Sequence, residues 1–352
     1  MYSPLIVDRK EPKWLLLEQI FKFLSVRRSH QEVSKRGITP VPVVVTALKI
    51  LLLSMFFSVD IAYAVRELET RRKLRRFIGV SEVPTADSLY RFLSRFEEDK
   101  FVSLITGLLN SCCSPGRRRE RSTILIDGTA ITLDLNWFRR TFTRKQLEEK
   151  EFRWGYSPSH GHYIGYKLTL AIEYPSLRPV CTLLHPGSPH DAPLFEEILE
   201  ELKRRRAIRI GDTVVCDKGY YSYRNYVQGI LRFNIVPVIF AKKTFSVKRL
   251  LGRLIYPLSI FGRSDTPELI QRYRSLARNL LLQLKDQDRF QEIRSYIEDV
   301  FKIAKNAFSL RRIHRYTTRS VTKAVSLNVL LTGLVISLGF RSKTQLQSLA
   351  EW

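Results

Sequence analysis

The pattern of apolar and polar positions divides the chain in two. Over residues 1–115 apolar side chains recur with helical spacing, at Leu48, Leu51, Leu52 and Met55 and again at Leu89, Phe92, Leu93 and Phe96 behind the cap-like Pro84-Thr85. A helix over Ile61 to Arg75, a turn holding Gly79 and Pro84, and a helix over Asp87 to Glu97 fit either a helix-turn-helix or a plain helical bundle; the turn is long for the former. Ser114-Pro115-Gly116 closes this region. Beyond it the texture turns β-branched, with runs at Ser122 to Leu133, Tyr166 to Glu173, Val180 to Leu184, Thr213 to Cys216 and Ile235 to Ala241. Helical stretches at Leu194 to Arg206 and Tyr223 to Phe233 separate the later runs, and further helices are expected at Pro267 to Leu284, Asp288 to Phe308 and Thr318 to Leu338. The pattern predicts an all-helical N-terminal region, 1–115, followed by an α/β domain with a mixed sheet, 116–345.

Charge narrows the function. The 352 residues include 59 Lys and Arg against 34 Asp and Glu, a formal net charge of +25, with a pI near 10.1. That balance argues against an ordinary metabolic enzyme and for a polyanionic partner, of which nucleic acid is the commonest. Basic residues cluster at Arg71 to Arg76, Arg117 to Arg121, Lys203 to Arg206 and Arg311 to Arg319. One such cluster is usually a solvated face, whereas four in one chain point to a broad anionic footprint. Cys112, Cys113, Cys181 and Cys216 lack both CxxC spacing and the density of a disulfide scaffold, which implies a reducing, cytoplasmic setting. Two apolar stretches, Val41 to Phe57 and Ala324 to Phe340, approach spanning length, but Lys49 and Asn328 interrupt them and they read as core helices, so no membrane is expected.

Two aspartates share one design. Asp127 follows the apolar run Ile124-Leu125-Ile126 and precedes Gly128-Thr129, and Asp217 follows Val214-Val215-Cys216 and precedes Lys218-Gly219. An ionised carboxylate on or just beyond a buried strand is costly unless paired or metal-bound; a turn-forming Asp-Gly in a hairpin is the alternative for Asp127. A third carboxylate is offered by the helix around Glu298. At about 100° per residue Arg294, Glu298 and Lys305 fall on one side, beside an apolar stripe of Ile297, Phe301, Ala304 and Phe308. A salt-bridged surface helix would look the same. His160-Gly161-His162 is a zinc half-site without a second half, and a loop is the simpler reading. Asp191 suits either an N-cap or the edge of an active site, and Trp154, Tyr156, Tyr163 and Tyr166 suit either core packing or base stacking.

With these residues in order, the chain resembles the DDE transposases of bacterial and archaeal insertion sequences. The matching segments are ILIDGT (Ile124 to Thr129), GHYIGYKL (Gly161 to Leu168), SPHDA (Ser188 to Ala192), VVCDKGYYS (Val214 to Ser222) and R-x₃-E-x₆-K at Arg294, Glu298 and Lys305. LKILLL and PTADSLYRF are similar to that family's helical N-terminal region, which would bind DNA or assemble. The resemblance implies an RNase H-like catalytic fold and Asp127, Asp217 and Glu298 as catalytic, metal-ligating carboxylates. Two Mg²⁺ ions, replaceable by Mn²⁺, would sit there, Asp127 bridging them with Asp217 on one and Glu298 on the other. It further implies Arg294, Lys305, Lys218 and Tyr221 as DNA contacts, double-stranded terminal repeats and target DNA as partners, a homodimer on DNA, and a nucleoid-associated location. Gln291 stands where the longer signature of the family has Tyr, three residues before the Arg. A nuclease without strand transfer and a non-catalytic DNA-binding protein are the rival readings.

Overall fold

The computed structural model describes residues 2–38, 40–112, 122–133, 143, 153–157, 161–260, 266–310, 312–313 and 317–351. Ser114-Pro115-Gly116, the Arg117 to Arg121 cluster, Cys113, His160 and, within the last basic cluster, Arg311 and His314 to Tyr316 lie outside the described residues. In chain order the helices α1 (Pro12–Leu24), α2 (Arg27–Ser34), α3 (Val41–Phe56), α4 (Ile61–Thr70), α5 (Arg72–Ile78), α6 (Ala86–Arg95) and α7 (Glu98–Cys112) come first. The strands β1 (Thr123–Leu133), β2 (Arg153–Ser157), β3 (Gly161–Tyr174) and β4 (Arg178–Pro186) follow, then α8 (Asp191–Arg204), β5 (Thr213–Cys216), α9 (Tyr223–Leu231) and β6 (Val236–Ile239). The chain continues through α10 (Val247–Ile260), α11 (Pro267–Gln283), α12 (Gln287–Lys302), β7 (Arg312–Ile313), α13 (Thr318–Ser337) and α14 (Lys343–Ala350).

These elements pack into two compact units, one of Gly116–Ala130 with Arg153–Asp299, the other of Met1–Pro115, Ile131–Phe152 and Val300–Trp352. The division differs from a split into 1–115 and 116–345, because the C-terminal α13 packs its apolar length against α7 and α3.

In the first unit a mixed sheet is flanked by helices. Its order is β2-β3-β1-β5-β6, with β4 also paired to β3. β1, β5 and β6 run parallel, and β3 is antiparallel to β2 and β4. Parallel strands covered on both faces read as unbroken apolar runs, which is why Ile124-Leu125-Ile126 and Val214-Val215-Cys216 are wholly buried. α8 packs on β4, and α9 and α11 on β6; α8 does so through a stripe of Leu194, Phe195, Ile198, Leu199 and Leu202.

Two expected helices are corrected. The helix expected over Ile61 to Arg75 is broken at Arg71, which takes an extended backbone while its side chain bonds Glu67 at 2.6 Å. α5 thereby intervenes between α4 and α6, so the short-turn geometry of a helix-turn-helix is replaced by a bundle. The helix expected to run to Phe308 leaves α geometry after Lys302 and continues as a π turn over Ile303–Ala307. The two polar interruptions of the apolar stretches are both satisfied. Lys49 donates to the Ile78 carbonyl at the end of α5 at 2.9 Å, and Asn328 donates to the carbonyls of Ala304 and Phe308 at 3.0 and 2.7 Å, beside the π turn. Among the described residues α13 is long and apolar enough to cross a membrane, yet 78% of its apolar window is buried inside the protein, as befits a core helix.

Candidate active site

β1 and β5 end their parallel pairing at Ile126 and Cys216. Asp127, still on β1, and Asp217, the first residue past β5, therefore follow directly on the last paired residues of two neighbouring strands. β1 continues to Leu133, which removes the Asp-Gly hairpin reading of Asp127. The third carboxylate comes from α12, whose apolar side includes Ile293, Ile297 and Val300, all buried. One turn separates Arg294 from Glu298 on that helix, and the two pair at 2.8 Å. The same guanidinium stands 3.5 Å from Asp127 and 3.7 Å from Asp217, and it lies over the ring of Phe240, 5.8 Å from its centroid. Three elements thus deliver three carboxylates around one cation. Among the described residues no three His, Cys, Asp or Glu side chains close on a common point as in a formed metal site; Arg294 sits among these three instead.

Their environments differ. The side chains of Asp217 and Glu298 are 34% and 45% exposed, whereas that of Asp127 is 18% exposed. Burial, reinforced by the charges of Asp217 and Asp191, pushes the Asp127 carboxyl up to about 7, against the pull of the Gly128 amide and Arg294. The Gly128 N–H donates to Asp127 Oδ1 at 2.8 Å.

The other residues singled out in the sequence are dispersed. Lys218 is exposed on a 3₁₀ turn immediately after Asp217. Tyr221 packs in an aromatic cluster, 5.6 Å from Tyr223 and 6.2 Å from Phe245 between ring centroids. Lys305 belongs to the π turn and to the helical unit, where it lines a cavity of about 920 Å³ with Tyr2, Tyr90, Arg319 and Lys323. The α-helical period on which its predicted face is reckoned holds through Lys302, and the π turn follows. Tyr163 and Tyr166 are core residues, while Trp154 and Tyr156 are exposed. Asp191 is the first residue of α8 rather than its cap; His190 holds the cap position. Its carboxylate pairs with Lys167 at 2.6 Å. Lys167 had no assigned part in the sequence reading, and the signal available was a cation inside the strand run YKLTLAIE. In the basic cluster Lys203 to Arg206, Arg204 and Arg205 are both tied to Glu201.

A model of the transposase DDE domain matches residues 118–334, more than half of the chain. The chain belongs to the DDE transposase family. That match runs from the strand of Asp127 through Asp217 and Glu298, and on into α13. No curated protein matches the transposase in sequence. Among solved structures, a piggyBac transposase synaptic complex with hairpin DNA is similar at 12% identity with a TM-score of 0.37, over 99% of this chain and 80% of that one.

Proposed function

We propose that this transposase serves an insertion sequence, cutting DNA at the element's ends and transferring the 3′-OH ends to target DNA, with Asp127, Asp217 and Glu298 as its catalytic, metal-ligating carboxylates. The observation that carries the reading is the Arg294 guanidinium within 2.8 to 3.7 Å of all three carboxylates. An oxygen-only donor set with more negative charge than its one arginine offsets suits hard divalent cations, Mg²⁺ or in its place Mn²⁺. Two such ions, when bound, supply activation of the attacking water or 3′-hydroxyl and stabilise charge on the phosphorane and leaving oxygen. Asp127, Asp217 and Glu298 would hold them. Arg294 pairs with all three acids, and its planar fork would also suit a DNA phosphate. Lys218, exposed beside Asp217, would add a backbone contact, as would Lys305 from the helical unit; Tyr221 would act at the same turn. Joining two ends in one event calls for a homodimer on double-stranded DNA, and such an enzyme would work at the nucleoid.

The test is incubation of the protein with a duplex carrying the repeats that flank its own coding sequence, in Mg²⁺ or Mn²⁺. Cleavage at the repeat and joining of a pre-cut 3′-OH end are expected. Asp127→Asn, Asp217→Asn and Glu298→Gln should each abolish both steps and leave end binding in place, since each removes a ligand charge and keeps the shape. Cleavage without joining would make the protein a nuclease, and binding without cleavage a DNA-binding protein only.

A further inference from the structure

Behind the two aspartates lies an ion pair that the three-carboxylate set does not use. Lys167, on β3, is 9% exposed. Its Nζ stands 2.6 Å from Asp191 Oδ1 and donates to the Pro189 carbonyl at 2.8 Å. Burying a cation is costly unless it is paired and hydrogen-bonded, and this one is both. A pair serving stability alone needs no particular neighbours, whereas this one is pressed against two glycines that follow the catalytic aspartates. A Cβ added at Gly219, two residues after Asp217, would lie 2.5 Å from Asp191 Oδ2. One added at Gly128, directly after Asp127, would lie 2.9 Å from Lys167 Cε and 3.3 Å from Asp191 Oδ1. Neither glycine has the positive φ that would account for its lack of a side chain, so close approach of the pair is the reason left. Gly128 in turn holds Asp127 Oδ1 through its amide at 2.8 Å. A shift of the pair therefore moves the Gly128 backbone, and with it the carboxylate.

We propose that Lys167 and Asp191 are positioning residues that fix the spacing between Asp127 and Asp217. The proposal rests on the carboxylate reading above, and its test separates the two. Mn²⁺ binding to the full-length, DNA-free protein is measured by the loss of the free-ion paramagnetic resonance signal, with Asp127→Asn as control. Strand cleavage is measured in parallel. Asp191→Asn and Lys167→Met should keep the wild-type circular dichroism and end binding. They should weaken Mn²⁺ affinity by about 10- to 100-fold, as outer-shell partners of metal ligands do. The turnover rate should fall on the order of a hundredfold, the cost of a misplacement of about 1 Å, with KM for end DNA unchanged. Asp191→Glu keeps the charge but reaches into the space Gly219 leaves, so it should fail as badly as Asp191→Asn. Wild-type Mn²⁺ affinity in Asp191→Asn and Lys167→Met would overturn the proposal, as would a normal Asp191→Glu beside a defective Asp191→Asn, which would make charge alone responsible. If the pair variants unfold, Gly219→Ala decides, because it adds one methyl group and alters no charge: a folded Gly219→Ala with wild-type Mn²⁺ affinity would leave the pair a purely structural role. Absence of Mn²⁺ binding by the wild type, or its persistence in Asp127→Asn, would instead sink the carboxylate reading, and this proposal with it.

Discussion

Asp127→Asn is expected to stabilise the metal-free protein at pH 8, although it destroys the site. In the folded protein burial and like charge carry the Asp127 carboxyl from 3.8 to about 7. Between those values the folded state holds a proton that the unfolded chain has released, so wild-type stability falls as pH rises through that window and is level above it. The full span corresponds to about 4 kcal/mol, at about 1.4 kcal/mol per tenfold change. Water entry and movement of Arg294 relax the charged form, so about 2 kcal/mol is the expected gain on removing the charge. For a domain of this size class that is a rise in Tm of about 4 to 8 °C. The assay is thermal denaturation of both proteins with chelator, from pH 4.5 to 8.5. The Asn variant should lead by its full margin above pH 7, and the margin should shrink towards zero as pH falls to about 4. Mn²⁺ should raise the wild type alone, by mass action on the folded state, and close the gap. An Asn variant no more stable than wild type at pH 8, or a margin that grows as pH falls, would refute the account in which burial, reinforced by like charge, penalises the ionised Asp127 carboxyl.

Arg294→Gln should lower metal-free stability at pH 8 and partly recover it in Mn²⁺, because the same carboxylates lose one cation and gain others; paired melts with and without Mn²⁺ check it. The affinity for end DNA should fall steeply with salt, log K against log salt having a slope of about 0.9 per phosphate neutralised, and a flat response would remove the basic clusters from DNA binding. Lys305→Ala should lower that slope by about one unit in the same titration, and an unchanged slope would confine Lys305 to its helical-unit cavity. Burial pushes the thiol of Cys181 up to about 12 and that of Cys216 well above its ordinary range, so both should react with a disulfide reagent only as the protein unfolds, read by labelling rate against denaturant.

What could be read from the sequence followed locality. The strands before Asp127 and Asp217 were legible because a parallel sheet covered on both faces demands unbroken apolar runs, and each run stops at the acid. Glu298 and Arg294 were legible because four residues make one turn of a helix that remains α-helical through Lys302. The π turn that carries Lys305 was not legible because nothing in Ile303-Ala304-Lys305-Asn306-Ala307 announces it; two carbonyls beside that turn are taken up by Asn328, more than twenty residues downstream on another helix. β2 escaped notice for a related reason. It is short, lies at the edge of the sheet, and leaves Trp154 and Tyr156 exposed, so it carries no buried run to betray it. The grouping of residues 300–352 with the N-terminal helices likewise depends on the packing of α13 against α7, which no local pattern encodes.

The charge of the whole chain and the charge of its site have opposite signs, and that contrast bears on how DNA would be admitted. A net charge of +25 draws in a polyanion at long range. A phosphate arriving among Asp127, Asp217 and Glu298 would meet three acids and the one guanidinium that binds them together. At contact distances the local charge outweighs the global one, because salt screens the distant cations over about 8 to 10 Å. Under the proposed reading the metal-free site therefore repels the scissile phosphate that the rest of the molecule attracts. Divalent cations held by these carboxylates would offset the local negative charge and compete with Arg294 for the same oxygens. Loading the site with metal would then be a condition for placing the phosphate as well as for the chemistry, and the same three side chains would meet both requirements.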